Sequence, residues 1–222
     1  MTSYDGLILD YDGVVVNVVD RDTRVQACCR LALREFREHG IVPNRESIAK
    51  LAHSVSTEEV QSLSTHLDTT PETLWRCRDD ILFSVMTDAA RRGEKKPYPD
   101  TAALFELDVP LGIASNNQRR VVEFIVEEYG IAERFGTIHA REPVLESLKL
   151  KKPSPTLLER AQADLGVSNP LFVGDKQKDV IAARRAGMDV AYIRREHNGD
   201  RPLEYEPTYE VTTLEEVAAL FT

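Results

Sequence analysis

An α/β fold with a central parallel sheet, interrupted early by an all-helical insert, follows from three features of this 222-residue sequence. An apolar run, Leu7-Ile8-Leu9, leads straight into Asp10-Tyr11-Asp12-Gly13. A short apolar strand that ends on polar residues reads as a buried strand whose C-terminal edge carries a ligand site. From about residue 101 onward, strand-like and helix-like segments alternate, which implies parallel strands with helices on both faces. Between these two regions, residues 17–96 carry helical spacing and no strand signal.

The elements follow in order. The first strand holds Leu7 to Leu9 and delivers Asp10 at its end. Alternation along an extended chain points Asp10 and Asp12 the same way and Tyr11 the other. Gly13 lets the chain turn away without placing a side chain in the site. Val14 to Val19 is a short apolar link. A helix then opens at Asp22, with Val25, Cys29, Ala32, Leu33 and Phe36 on one face, and closes at His39-Gly40. Glu46 to Leu51 and Thr57 to Leu67 read as two further helices, the second capped by Ser56 or Thr57. Thr70-Pro71 starts a long helix, Thr70 as N-cap and Pro71 in the first turn. Its apolar side carries Leu74, Ile81, Leu82, Val85 and Ala89. Lys96-Pro97-Tyr98-Pro99-Asp100 is held extended by its prolines and returns the chain to the core.

The core then continues with a short helix at 101–106 and a strand, Leu111 to Ser115, ending at Asn116-Asn117. A helix with Val122, Ile125, Val126 and Tyr129 on one side follows, then a weak strand at 136–140. Ser154-Pro155 opens a helix running to Leu165, Leu171 to Gly174 is a strand ending at Asp175, and Asp179 to Ala186 is a helix closed by Gly187. Val190 to Ile193 and Tyr209 to Val211 are late strands, and 213–221 is a closing helix. The expected organisation is a Rossmann-like three-layer core, residues 1–16 and 97–222, with a helical insert at 17–96.

Composition narrows the function. The net charge of −9 argues against nucleic acid, whose binding needs a basic face. No apolar run approaches the roughly 20 residues that cross a bilayer. No charged-then-apolar leader opens the sequence, so a cytoplasmic protein is expected, a monomer or homodimer. Arginine outnumbers lysine 20 to 8, which fits either genome composition or adaptation to salt. Cys28, Cys29 and Cys77 have no metal-ligand spacing and read as core residues of a reducing compartment. The five histidines form no ligand cluster in sequence.

Three strand ends bring polar residues to one edge: Asp10 and Asp12, then Ser115 and Asn116, then Asp175 with Asp179 four residues on. Lys152-Pro153-Ser154-Pro155 lies between them. Two carboxylates as close as Asp10 and Asp12 repel, and a divalent cation relieves this. Mg2+ suits it, being hard, oxygen-seeking and commonly held by carboxylates, phosphate and water. Together these residue types support phosphoryl transfer. One carboxylate attacks phosphorus to form an acyl phosphate. A neighbouring carboxylic acid protonates the leaving oxygen and then takes a proton from water. A lysine and a hydroxyl hold the charge on the equatorial oxygens. Blander readings exist for several of these residues. Asp12-Gly13 also suits a solvated turn, Ser115 and Asn116 a helix N-cap, Lys152 a solvated lysine run with Lys149 and Lys151, and Asp179 a first helical turn.

The chain resembles the haloacid dehalogenase superfamily of phosphotransferases in four motifs, in order: Asp10-x-Asp12-Gly13-Val14, Ser115-Asn116, Lys152-Pro153-x-Pro155 and Gly174-Asp175-x-x-x-Asp179. The insert lies where that family places a helical cap. The resemblance implies Asp10 as nucleophile, and Asp12 as general acid/base with its backbone carbonyl on Mg2+. Ser115 and Asn116 would bind the phosphoryl group, and Lys152 would screen the charge on phosphate and on Asp10. Asp175 would be a metal ligand, and Asp179 a ligand or an orienter of metal-bound water. Val14 departs from the more usual threonine. The dehalogenase branch does not keep an acid at the position of Asp12, so halide displacement is not expected. A cap of this size resembles phosphoglycolate phosphatases and β-phosphoglucomutases, which enclose small phosphorylated metabolites. The expected activity is a Mg2+-dependent phosphatase of a small phosphomonoester, working through an aspartyl phosphate. A sugar-phosphate mutase is the alternative, and a silent binding protein a weaker one. In the cap, Arg21 and Arg24 either face a site or lie on the outer face of a charged helix.

Overall fold

A computed structural model describes residues 4–53 and 55–221, with the side chain of Leu33, expected on the apolar face of the first helix, outside that description. The chain divides into two compact units. One holds the residues up to Val18, Lys96–Arg141 and those from Leu150 on; the other holds Val19–Lys95 and Glu142–Lys149.

The first unit is built on a six-stranded parallel sheet: β1 (Gly6–Leu9), β2 (Leu111–Gln118), β3 (Thr137–Arg141), β4 (Pro170–Gly174), β5 (Asp189–Ile193) and β6 (Tyr209–Val211). The spatial order is β3-β2-β1-β4-β5-β6. β1 is fully buried and central, with Leu7 opposite Leu111 on one side and Leu171 on the other. The chain leaves β1 toward β2 and returns from β3 to β4 on the opposite flank. Ligands bind at such a reversal of strand order, outside the C-terminal ends.

On one face Ile8, Ala114, Phe172, Val190 and Tyr192 pack with Leu157, Leu158 and Ala161 of one helix and Val180, Ala182 and Ala183 of another. The remaining helices number α1 (Arg21–Glu38), α2 (Arg45–Leu51), α3 (Thr57–His66), α4 (Pro71–Arg91), α5 (Arg119–Glu128) and α8 (Leu214–Ala218), with α6 (Thr156–Leu165) and α7 (Gln177–Ala186) being the pair just described. α6 and α7 each close on a left-handed glycine, Gly166 and Gly187. Val121, Val122, Ile125 and Val126 form the buried stripe of α5, which packs on β2 and β3. Two segments differ from the sequence reading. β2 continues through Asn117 to Gln118, its pairing with β3 irregular between Ser115 and Gln118. Pro99–Glu106 is a 3-10 helix, opened by proline at its first position.

The chain leaves and re-enters this unit through paired segments. Asn17 N–H donates to the Lys96 carbonyl (3.0 Å), Lys96 N–H to Asn17 Oδ1 (2.7 Å) and Tyr98 N–H to the Val15 carbonyl (3.0 Å).

The second unit is helical. Side chains cap α1 to α4 in turn: Asp20, Asn44, Ser56 and Thr70 each accept from a first-turn N–H, and Ser56 with Glu59 completes a capping box. α1 and α4 pack together, burying Cys28, Ala32 and Phe36 of one and Leu74, Cys77, Ile81, Leu82 and Val85 of the other. Residues 142–149, which the sequence reading gave to the core, group with these helices, and Leu145 lines one pocket with Trp75. One grouping was invisible in sequence: ligating atoms of Glu35, His39 and Cys77 lie within 4.8 Å of one another.

Candidate active site

The C-terminal edge of the sheet gathers the polar residues of four neighbouring strands. Asp10 follows β1 and is anchored by its N–H to the Val173 carbonyl at 2.8 Å. The next turn is tight: the N–H groups of Val14, Val15 and Val16 all converge on the Tyr11 carbonyl. Tyr11 is fully buried, and burial pushes its phenol well above its ordinary value. Asp10 is buried and Asp12 half-buried.

Lys152 is the hub. Its Nζ lies 2.8 Å from Asp10 Oδ1 and 2.8 Å from Asp179 Oδ1, and its side chain has no exposure. Burial alone would lower the ammonium, but Asp10 and Asp179 more than reverse this and hold it above its ordinary value. A buried charge survives only when paired in this way. The loop that carries it is fixed by Asn116. That amide donates Nδ2 to the Lys152 carbonyl (3.0 Å) and accepts the Lys152 N–H on Oδ1 (2.7 Å). The Lys152–Pro153 peptide is cis.

Asp179 stands in the first turn of α7, where its Oδ2 accepts the Lys176 N–H at 2.9 Å. Both of its oxygens are thus engaged by protein. Asp175 is fully buried, with Oδ1 2.7 Å from Lys176 Nζ and Oδ2 2.7 Å from His197 Nε2. Lys176 Nζ also donates to the Asp12 carbonyl at 3.3 Å. Burial opposes its charge, and the carboxylates of Asp175, Asp10 and Asp179 overcome that and raise the ammonium well above its ordinary value. Ser115 is buried within β2, where the pairing with β3 becomes irregular, its Oγ accepting the Asn117 N–H at 3.2 Å.

Every residue expected at the site from sequence therefore stands at this edge. Asn116 does so with its side chain committed to the Lys152 backbone. Four further residues were not expected. Asn117 donates Nδ2 to Asp12 Oδ2 at 2.8 Å. Lys176 is an unspecified position inside the fourth motif. His197 and Asn198 lie in the loop after β5, and Asn198 Nδ2 ties the carbonyls of Asp175 and Ile193 (2.9 Å each). That loop is braced from outside: Arg195 grips Asp100 with two bonds (2.7 and 3.0 Å) and stacks 4.2 Å over the Tyr98 ring. The rule that strand ends carry sites would have flagged His197.

Ligating oxygens of Asp10, Asp175 and Asp179, all buried, lie within 4.8 Å of one another. With Asp12, four carboxylates face two ammonium groups. An all-oxygen set with excess negative charge fits a hard divalent cation.

A family model described as haloacid dehalogenase-like hydrolase matches residues 4–193. A phosphoglycolate phosphatase of Neisseria meningitidis is 37% identical over 98 residues, 41% of this chain and 40% of that protein. An (S)-2-haloacid dehalogenase of a Pseudomonas species is 29% identical over 113 residues, 50% of this chain and 47% of that protein. The chain thus spans about 40% of the length of the first curated relatives it matches. Among solved structures, CbbY from Rhodobacter sphaeroides in complex with phosphate superposes with a TM-score of 0.69 at 19% identity, covering 96% of both chains. A haloacid dehalogenase-like family hydrolase from Streptococcus pneumoniae gives 0.68 at 18% identity, covering 100% of both. At these identities the structural likeness speaks for the fold.

Proposed function

The chain belongs to the haloacid dehalogenase-like hydrolases, and from that premise we propose that it is a phosphatase of small phosphomonoesters that works through an aspartyl phosphate on Asp10. The observation that carries this reading is the division of labour between Asp10 and Asp12. Asp10 Oδ1 is held by Lys152 Nζ (2.8 Å) and by the Tyr11 N–H (2.7 Å). That leaves Oδ2 to attack phosphorus. Asp12 Oδ2 accepts from a neutral donor, Asn117 Nδ2, at 2.8 Å. Asp12 is half-buried where Asp10 is buried, so its carboxyl is the one placed to exchange a proton with the leaving oxygen and with water.

In the first half-reaction, Asp10 Oδ2 forms a bond to phosphorus as the bond to the leaving oxygen breaks, and Asp12 gives that oxygen its proton. In the second, Asp12 takes a proton from water as the water oxygen bonds to phosphorus and Asp10 is released. Lys152 stays on Asp10 Oδ1 throughout and neutralises charge beside the reacting phosphoryl group. Ser115, buried in the neighbouring strand β2, is the hydroxyl placed to donate to a phosphoryl oxygen. A divalent ion, with Mg2+ the best match to the donors, would be held by Asp10, Asp175 and the Asp12 carbonyl and would supply further charge stabilisation.

An acid at position 12 also favours phosphoryl transfer over halide displacement, in keeping with the phosphoglycolate phosphatases among the relatives. The substrate class is then a small phosphorylated metabolite. No described helix is long and apolar enough to cross a membrane. The test is phosphate release from a panel of small phosphomonoesters with Mg2+, run beside Asp10→Asn. Release by the wild type that vanishes in the variant, with melting unchanged, supports the reading. A folded wild-type protein that releases phosphate from none of them removes it.

A further inference from the structure

Two arginines of α1 share one histidine. Arg21 Nε lies 2.9 Å from His53 Nε2, and Arg24 Nη2 lies 2.7 Å from His53 Nδ1. A guanidinium only donates, while a neutral imidazole has one N–H and one lone pair. At most one of the two contacts is therefore a hydrogen bond, and the other sets donor against donor. Arg24 Nε is in addition buried with no acceptor. Among the described residues no carboxylate pairs with Arg21 or Arg24.

The cluster is built rather than incidental. A third guanidinium, Arg78 of α4, pins the turn that carries His53. It donates Nε to the Leu51 carbonyl (2.9 Å) and Nη2 to the His53 carbonyl (3.0 Å), and its own charge is met by buried Asp79 at 2.6 Å. Arg21 and Arg24 also sit in the opening turns of α1, the end of a helix where cations are disfavoured and anions favoured. Burial, then Arg24, Arg21 and Arg78, hold the His53 imidazole below its ordinary value. Every feature lacks the same thing: an acceptor that carries negative charge.

We propose that Arg21, Arg24 and His53 form an oxyanion-binding site in the helical unit, taking the carboxylate or phosphate group of a small molecule. Such a group accepts from both guanidiniums and from the one imidazole N–H at once, so the donor–donor contact disappears. Charge-assisted bonds of this kind are about twice as strong as neutral ones. The site stands on the helical unit alone and does not depend on the phosphatase reading.

The test follows the arginine Nε–Hε and histidine ring resonances of the full chain by NMR during titration with inorganic phosphate and, separately, acetate. Saturable shifts at Arg24 Nε–Hε and His53 are expected. Arg24→Gln weakens the binding about tenfold or more, the loss of roughly one charge-assisted contact. Arg21→Gln, at an exposed position, weakens it in the same direction and serves if the first variant folds poorly. Flat resonances throughout, or wild-type shifts that persist unaltered in both variants, overturn the proposal. Phosphomonoesters with and without a second anionic group then identify the source. A KM that rises in Arg24→Gln only for the doubly anionic esters assigns the site to the substrate. An unchanged KM with lost phosphate shifts assigns it to a free oxyanion.

Discussion

Lys176 Nζ lies 2.7 Å from Asp175 Oδ1 and 3.3 Å from the Asp12 carbonyl, so one ammonium spans two of the oxygens that the site would offer a divalent ion. Both ligands compete for the same lone pairs. Lys176→Met is expected to bind Mg2+ about tenfold more tightly, because no ion pair has to be broken first. The same variant should melt at a lower temperature in chelator, since buried Asp175 then loses the ammonium on Oδ1 and keeps only His197 on Oδ2. Calorimetric titration and melting in chelator check the two effects. Equal Mg2+ affinity in both proteins would show that Lys176 does not occupy the ion's place.

Lys152 bears a different load, because it bridges two carboxylates and has no exposure. Lys152→Met leaves Asp10 and Asp179 buried without their cation. Removing one partner of a buried ion pair costs about 3–5 kcal/mol, and urea unfolding should show a loss of that order. Activity should fall as well, and Lys152→Arg should recover little of either, since its planar fork cannot serve as a compact point charge at this position.

The sequence made the strands and their order of use legible because buried parallel strands are short apolar runs that stop on polar residues. Leu7 to Leu9 and Leu171 to Gly174 are such runs, and their ends carry Asp10 and Asp175. What it could not convey was pairing between side chains distant in the chain. Asn116 reads as a ligand-binding residue beside Ser115, yet its amide is spent on the backbone of Lys152, 36 positions away. His197 reaches Asp175 across 22 residues from a polar loop with no motif of its own. Arg21 and Arg24 read as either site-facing or solvated, and their meeting at His53 depends on the turn between α2 and α3.

His53 gives the molecule a pH dependence with a defined sign. Its folded value lies below the ordinary 6.5, because burial and the guanidiniums of Arg24, Arg21 and Arg78 oppose its charge. The Asp79 carboxylate is spoken for by Arg78. The unfolded chain therefore binds the proton more readily than the folded one. Stability from this residue is fully present above 6.5 and is lost as pH falls through the lowered folded value. Melting temperatures between pH 5 and pH 8, on the order of the histidine range, should fall more steeply on the acid side in the wild type than in His53→Gln. Parallel curves for the two proteins would remove His53 as the cause.

Gly13 separates backbone strain from crowding at the site. Its φ is +90°, a conformation that side chains rarely adopt, and a Cβ there would run into Asp175 Oδ2 and come within 2.8 Å of His197 Nε2. Gly40 has φ +69° with nothing within 4 Å of the same atom. Gly40→Ala is thus a control that costs only the backbone term, about 1 kcal/mol. Gly13→Ala pays that term and must also turn Asp175 off His197, a buried charge-assisted contact of about 1.5–3 kcal/mol. Urea unfolding of the two variants should therefore differ by an amount of that order. Mg2+ binding should weaken in Gly13→Ala and not in Gly40→Ala, because the displaced carboxylate is one of those offered to the ion. Equal destabilisation, with metal affinity untouched in both, would mean that Asp175 has room to move and that the glycine is there for the turn alone.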